Sequence, residues 1–241
     1  AEEHVAFSPR VAAGAVRSRL EDYLIADEVE VIEETARWVA IGVFGLGSGR
    51  LLTGLGVGVS GRAGEFFRSG DGFVFPGRFS RDENFWLLMP RADVAAWQTQ
   101  LSGAGASRVE FAAAERERIQ HGIPSVPEDI GSSDLPNEGG LEVDAISYTK
   151  GCYLGQEVMS RLKNLGQVRR RLHVVRGKGS LPAPRAALYQ GEKQIGEIRS
   201  VAPESDGFVA LAMLSLVNLD RRAAMSLASN QSPSVSLVDH G

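Results

Sequence analysis

The hydrophobic pattern of the chain changes near residue 167, and this change constrains the fold more than any other feature. From there to the C-terminus, Gly, Pro and Asp separate short apolar stretches at residues 172–175, 186–189, 195–198, 208–214 and 235–238. Short apolar runs bounded by turn residues predict strands of a small all-β module, an open barrel or a sandwich. The sequence therefore predicts two domains, residues 1–167 and residues 168–241.

Helical and strand-like patterns alternate before that point. Helices are predicted at residues 9–24, 90–103 and 112–120, and strands at residues 29–31, 38–44, 73–75, 85–89 and 108–111. The strands are short, and they follow one another as hairpins as often as they are separated by a helix. This arrangement favours an α+β fold over a doubly wound parallel sheet.

Charge and hydropathy argue against two classes of partner. The 26 Lys and Arg residues are outnumbered by 30 Asp and Glu residues, so the net charge of −4 gives no global attraction to nucleic acid. No apolar run reaches the roughly 18 residues that a membrane span needs, and the first residues lack a secretory signal. We expect a cytoplasmic protein without direct nucleic-acid or membrane partners. Because the sequence begins without Met, we also expect that N-terminal sequence is missing.

Cys152 is the single cysteine of the chain. One thiol excludes an intramolecular disulfide, a paired-thiolate zinc site and a complete set of iron–sulfur ligands. The four histidines lack the spacing of metal ligands, so no metal site is predicted. Cys152 is then either a small buried apolar residue or a reactive thiol.

The segment KGCYLGQE, residues 150–157, carries this cysteine between two glycines. Gly151 and Gly155 allow a tight backbone path that a Cβ atom would obstruct, and a helix is predicted over residues 156–165. The charge of Lys150 and the N-terminus of that helix would both favour the thiolate, the nucleophilic and metal-binding form of cysteine. The pattern indicates a thiol presented at a turn rather than within a packed element.

The same segment resembles the signature K-G-C-Y-x-G-Q-E of the YgfZ family. Flanking pieces at residues 115–124, 134–141 and 157–172 extend the resemblance over about residues 8–218. The resemblance implies a relative of the glycine-cleavage aminomethyltransferase, or T-protein, with an α+β body that binds tetrahydrofolate and a small C-terminal β-barrel. Members of the family act in the assembly or repair of iron–sulfur enzymes, including one that thiomethylates tRNA.

The resemblance also assigns roles to residues. It makes Cys152 the residue on which the activity depends, with Lys150 beside it. It places the other motif residues, and the arginine that follows the motif, at the folate site: Gly151, Tyr153, Gln156, Glu157 and Arg161. The family's usual N-terminal segment, which contributes to the folate cavity, has no counterpart in this sequence.

Two residues of the flanking pieces, Arg118 and Glu138, could line the same pocket. A pterin edge needs a carboxylate, and the glutamate tail of folate suits a cation. The alternative is a helix-surface ion pair for Arg118 and a solvated carboxylate for Glu138. A basic run at residues 169–171 could contact RNA or an acidic protein, but strand alternation puts its middle arginine on the opposite face and favours a solvated strand.

Three functions remain open at this point. The first is a tetrahydrofolate-binding accessory factor, whose partners are folate and iron–sulfur client or assembly proteins. The second is a folate-dependent aminomethyl or one-carbon transferase, although that chemistry relies on an acidic residue of the absent segment and on a motif without this cysteine. The third is a non-catalytic module that binds a partner through the barrel. The motif cysteine favours the accessory factor over a true transferase.

Overall fold

The structure, a computed structural model, divides into two compact units, Ala1–Val109 and Glu110–Gly241. It describes residues 3–25, 28–62, 64–143 and 145–238. The predicted boundary between residues 167 and 168 lies inside the second unit, where it separates a loop-and-helix segment from a β-sheet, and that division stays a prediction. His240, one of the four histidines considered as metal ligands, lies outside the described residues.

The first unit combines a four-stranded antiparallel sheet with three α-helices in its described residues. In chain order these elements are α1 (Ala13–Glu21), β1 (Trp38–Phe44), α2 (Ser48–Gly54), β2 (Phe67–Ser69), β3 (Gly72–Pro76), β4 (Asn84–Pro90) and α3 (Val94–Gly103). The strand order is β1-β4-β3-β2. Leu52 of α2, Leu87 of β4 and Leu101 of α3 belong to one buried core, so both helices pack on the sheet.

Most predicted elements of this unit are confirmed, with two differences. The helix predicted at residues 9–24 is shorter, because it runs only from Ala13 to Glu21. The strand predicted at residues 29–31 is wrong, since this segment is irregular and Val29 is exposed. Alternating Val and Glu residues give strand propensity, but a strand also needs a neighbouring strand with which to exchange hydrogen bonds.

The second unit begins with a helix where the sequence predicted a strand. Residues 108–111 do not form a strand, because Phe111 is already the first residue of α4 (Phe111–Gln120). A 3₁₀ turn (Pro136–Gly139) and α5 (Gln156–Leu165) follow. The five strands then come in the order β5 (Arg170–Lys178), β6 (Ala187–Gln190), β7 (Lys193–Glu204), β8 (Gly207–Ser215) and β9 (Val235–Leu237), and they form an antiparallel sheet ordered β6-β7-β8-β5-β9.

A short segment at Met225 and Ser226 joins the two edges of this sheet. Ser226 and Tyr189 of β6 exchange two backbone hydrogen bonds of 2.9 Å, and Met225 and Val235 of β9 exchange bonds of 2.7 and 3.0 Å. Because β6 and β9 are the edge strands, these bridges curl the sheet into a small barrel. The predicted C-terminal β-barrel and the α+β class are thereby confirmed.

Strand β8 explains how the rest of the second unit is attached to this barrel. Its even-numbered residues, such as Phe208 and Leu214, lie in the barrel core. On the opposite face, Leu211 packs with Ile119 of α4, and Met213 packs with Ile130 of the long loop. Side chains alternate across a strand, so a strand covered on both faces is apolar throughout. None of the helices that the structure describes combines the length and hydrophobicity that a membrane crossing requires.

Candidate functional site

Cys152 is exposed, in the irregular segment that leads into α5. The helix begins at Gln156 and ends at Leu165, as the sequence predicts. Gly155 precedes it with φ of 80°, in the left-handed region that favours glycine. The thiol therefore lies at the surface, just before a bend, and the alternative of a buried apolar cysteine is excluded.

Gly151 does not have the steric role that the sequence suggested. A Cβ atom built at this position would meet no described heavy atom within 4 Å, and Gly151 is not among the glycines with positive φ. The prediction that a side chain would obstruct the backbone is wrong at Gly151. It is correct at Gly155, where the cause is the backbone conformation rather than a neighbouring atom.

Three predicted site residues hold the bend around the thiol. The Lys150 ammonium lies 4.9 Å from the centre of the Tyr153 ring, a cation–π contact. The backbone amide of Tyr153 donates a 3.3 Å hydrogen bond to Oε1 of Gln156, and the amide of Lys150 donates one of 3.2 Å to the Ser147 hydroxyl. The structure thus brings Lys150, Tyr153 and Gln156 together beside Cys152.

Two further predicted residues lie on the solvent side of α5. Glu157 and Arg161 are one helical turn apart, with their charged groups 3.8 Å from each other. Their side chains are 90% and 75% exposed, so solvent screens this pair and it contributes little to stability. Both groups are free to contact a molecule that approaches the helix, and their part in folate binding stays a prediction.

Arg118 is buried in an ion-pair network inside the second unit. Its Nη1 atom donates hydrogen bonds of 2.6 Å to Asp129 Oδ2 and 2.7 Å to the Ile123 carbonyl. Its Nη2 atom donates to Ser200 Oγ at 3.0 Å and to Glu115 Oε2 at 3.1 Å. Burial alone would lower the pKa of Arg118, but the charges of Asp129 and Glu115 raise it. The side chain is only 4% exposed, so Arg118 does not form an ion pair on the helix surface.

Glu138 is likewise buried rather than solvated. Its two carboxylate oxygens accept a bidentate pair of hydrogen bonds from Arg170, 2.9 Å from Nε and 2.8 Å from Nη2. The Leu135 amide donates a further bond of 3.0 Å to Oε2. The hydrogen bond to Glu138 is the main cause that raises the pKa of Arg170. Glu138 therefore ties the 3₁₀ turn to the first residue of β5.

A second pair, which sequence reasoning missed, continues this network. Asp134 accepts hydrogen bonds from Nη1 and Nη2 of Arg199, at 2.9 and 3.0 Å, and one of 3.2 Å from Arg170. Burial would raise the pKa of Asp134, but the hydrogen bonds from Arg199 and from the Gly131 amide, with the two arginine charges, lower it. The one available signal was Arg199 itself, a charge that directly follows the apolar stretch predicted at residues 195–198.

An open cleft lies next to α5 in the second unit. Its volume is about 690 Å³, within the range of ligand clefts in proteins. The apolar part of its lining comes from Leu135, Leu162, Val168 and Val217, and the polar part from Glu138, Gln167, Arg169, Arg170, Ser215 and Asn218. The cleft therefore combines hydrophobic walls with two arginines.

Known proteins resemble this chain in sequence and in fold. Residues 169–237 match the family model described as CAF17, C-terminal beta-barrel domain. A chloroplastic protein of Arabidopsis thaliana is 28% identical over 210 residues, which are 83% of this chain and 47% of that protein. The mitochondrial iron–sulfur cluster assembly factor IBA57 of Mus musculus is 43% identical over 73 residues, 27% of this chain and 19% of the relative.

The bacterial relatives include the tRNA-modifying protein YgfZ of Vibrio atlanticus (strain LGP32). It is 27% identical over 116 residues, 48% of this chain and 35% of the relative. The chain thus spans less than half the length of each of these relatives. Because two of them come from a chloroplast and a mitochondrion, the cytoplasmic location stays a prediction.

One solved structure shows the fold over nearly the whole chain. The glycine cleavage system aminomethyltransferase T from Bartonella henselae matches with a TM-score of 0.72 at 20% identity, covering 94% of this chain and 65% of the other. At that identity the likeness shows the fold alone. The sequence relatives, the barrel domain and this fold together support a YgfZ-type protein related to the glycine-cleavage T-protein.

Proposed function

We propose that this protein is an accessory factor in the assembly or repair of iron–sulfur cluster enzymes, with enzymes of tRNA modification among its clients. The observation that carries the proposal is the exposed thiol of Cys152 within KGCYLGQE. The names of the IBA57 and YgfZ relatives support the link to iron–sulfur clusters and tRNA. The likeness to aminomethyltransferase T shows only a fold, so it does not support one-carbon transfer by itself.

The chemistry of a single thiol limits what the protein can do with a cluster. Iron–sulfur clusters are held by several protein ligands, usually four cysteine thiolates, and this chain has one cysteine. Cys152 can supply one thiolate ligand to a cluster, and a client must supply the other ligands. This stoichiometry favours transient handling over storage of a cluster. Lys150 and the bend at Gly155 would hold the thiol at the surface for that exchange.

Tetrahydrofolate has no part in this proposal, because Glu138 is the one described residue predicted to bind it that lines the cleft. Both carboxylate oxygens of Glu138, and the five hydrogen bonds of the Arg118 side chain, are directed to other side chains and to the backbone of the same unit. Glu157 and Arg161 extend into solvent. Folate binding therefore stays a prediction that the family resemblance implies.

Complementation with matched variants tests the proposal. The gene that encodes this chain is expressed in a bacterial strain that lacks its own YgfZ-type protein, and the activity of a cluster-dependent enzyme is measured per mole of enzyme polypeptide. We expect that the unaltered gene restores this activity and that Cys152→Ser does not. A serine hydroxyl binds the iron of a cluster far more weakly than a cysteine thiolate does.

Leu181→Ser is the control, since it also replaces an exposed residue of the second unit and should restore activity fully. Circular dichroism of the purified proteins checks that both variants are folded. Full activity with Cys152→Ser would disprove the role of the thiol.

A further inference from the structure

An apolar strip runs along α5 from the thiol to the cleft. Leu154, two residues before the helix, is 66% exposed, and Val158 in its first turn is 50% exposed. Val158 and Leu162 are four residues apart and share a helix face, and Leu162 lines the cleft. We call Leu154, Val158, Leu162, Arg169 and Arg170 the docking face.

The strip continues outside the cleft. Leu162 lines the cleft, whereas Leu154 and Val158 are not among the residues that line it, so a small ligand within the cleft would leave them uncovered. Exposed apolar side chains that continue one another along a surface mark a site of protein association. The occupant must therefore be a segment long enough to enter the cleft at one end and reach Cys152 at the other.

The charges of the docking face select the chemistry of that segment. No acidic side chain in the described parts of the chain pairs with Arg169. The Nε and Nη2 atoms of Arg170 donate hydrogen bonds to Glu138 and Asp134. The Arg170 side chain is still 43% exposed, so its Nη1 atom remains available at the cleft. Arg161 adds a third cation beside Val158, only weakly paired with Glu157. Carboxylates on the partner would complement these arginines.

We propose that the docking face binds an acidic amphipathic segment of a partner protein, with its apolar side chains along Leu154, Val158 and Leu162 and its carboxylates at Arg169 and Arg170. Docking in this way would deliver a group of the partner to Cys152. The inference rests on the proposed function only for the identity of the partner as an iron–sulfur client. An apolar strip favours a protein over RNA, whose phosphate backbone would require cations along the whole contact.

Directed labelling of the single cysteine tests this inference on the full chain. Two synthetic peptides of about 18 residues, long enough to form a helix, carry Leu at every third or fourth position and a terminal chloroacetyl group. One has Glu and the other Lys at the remaining positions, and the labelling rate of Cys152 is followed by mass spectrometry. We expect the acidic peptide to label Cys152 at least about tenfold faster than the basic one, with the advantage falling as salt increases.

Two pairs of variants locate the contact. Arg169→Glu should reduce the rate with the acidic peptide about tenfold, whereas Lys178→Glu, at the far end of β5 and roughly 30 Å away along the strand, should leave it unchanged. Leu154→Ser should reduce it severalfold, whereas Leu181→Ser, also exposed, should not. Iodoacetamide, which is uncharged, should react equally with all four variants, and this controls for changes in the thiol itself.

Each other result overturns the proposal. Equal labelling by both peptides, or equal loss with Lys178→Glu, would show that these residues do not select an acidic partner. Protection of Cys152 by an RNA oligonucleotide, without a gain from the acidic peptide, would assign the face to nucleic acid. If the acidic peptide gains no rate while Cys152→Ser still abolishes complementation, the docking proposal fails and the proposed function stands.

Discussion

At the scale of single residues, the second unit depends on charges that are buried and paired. Arg118 and Asp129 form the clearest example, since the Arg118 side chain is 4% exposed and that of Asp129 is 0% exposed. Their ion pair is 2.6 Å long, and removal of one partner would leave the other charge buried without compensation. Such a loss typically costs about 3–5 kcal/mol.

We therefore expect that Arg118→Met destabilises the second unit by roughly 3–5 kcal/mol. Arg116→Met is the matched control, because Arg116 is exposed on the same helix and its loss should cost less than about 0.5 kcal/mol. Urea unfolding followed by far-ultraviolet circular dichroism measures both. Tryptophan fluorescence is unsuitable, since Trp38, Trp86 and Trp97 all lie in the first unit. Equal stability of the two variants would contradict a structural role for Arg118.

The sequence predicted the residues near the thiol better than it predicted these charges. The exposure of Cys152 follows from local chemistry, because Gly155 and the start of α5 are its neighbours in the chain. The burial of Arg118 and Glu138 depends on partners 11 and 32 residues away, Asp129 and Arg170. A pattern read along the chain contains no information about which distant charges meet.

At the scale of elements, ion pairs fasten the long loop to the barrel. Arg170 of β5 forms ion pairs with Asp134 of the loop and with Glu138 of its 3₁₀ turn. Asp134 also pairs with Arg199 of β7. The loop also contributes Ile130 and Leu141 to a small core with Met213 of β8. Together these contacts fix the loop on the barrel, immediately before the segment that carries Cys152.

This arrangement predicts a dependence of stability on pH. The folded state lowers the pKa of Asp134 below its ordinary value, which is about 3.9 in an unfolded chain. The unfolded state therefore binds the proton more readily, so the contribution of Asp134 is complete above about pH 4 and is lost as the pH falls through the folded pKa. In Asp134→Asn, the free energy of unfolding should therefore decrease less than in the unaltered protein as the pH falls.

Urea unfolding of both proteins at a series of acidic pH values measures this difference. Glu192→Gln serves as the control, since Glu192 is exposed and its hydrogen-bond partner is the uncharged Asn230. If Asp134→Asn and the unaltered protein lost stability in parallel between about pH 5 and pH 2, the pairing with Arg199 would not be the source of the effect.

Elements with local signals were predicted accurately, and those that need a partner were not. The helix at residues 156–165 and the strands of the barrel match the structure because their periodicity and turn residues are local. Residues 29–31 show the same alternation but have no strand beside them, and residues 108–111 were assigned to a strand although α4 begins at Phe111. The closing bridges at Met225 and Ser226 join segments that no short pattern connects.

At the scale of the whole molecule, the two compact units contain different structural features. The first unit contributes a four-stranded sheet with its own core. The second unit contains the barrel, the fastened loop, the motif and the docking face, so the proposed chemistry and the proposed partner contact both lie within it. The chain thus combines a fold shared with an aminomethyltransferase with an exposed cysteine in its second unit.

The central claim is that Cys152 is chemically available in the folded chain, and its alkylation rate tests this claim most directly. The protein has one cysteine, so mass spectrometry after iodoacetamide treatment near neutral pH reports on that thiol alone. We expect one adduct, formed in the folded protein at a rate within about threefold of that in denaturant, because the residue is exposed. A folded-state rate about a hundredfold slower, as expected for a thiol that reacts only after unfolding, would contradict the account.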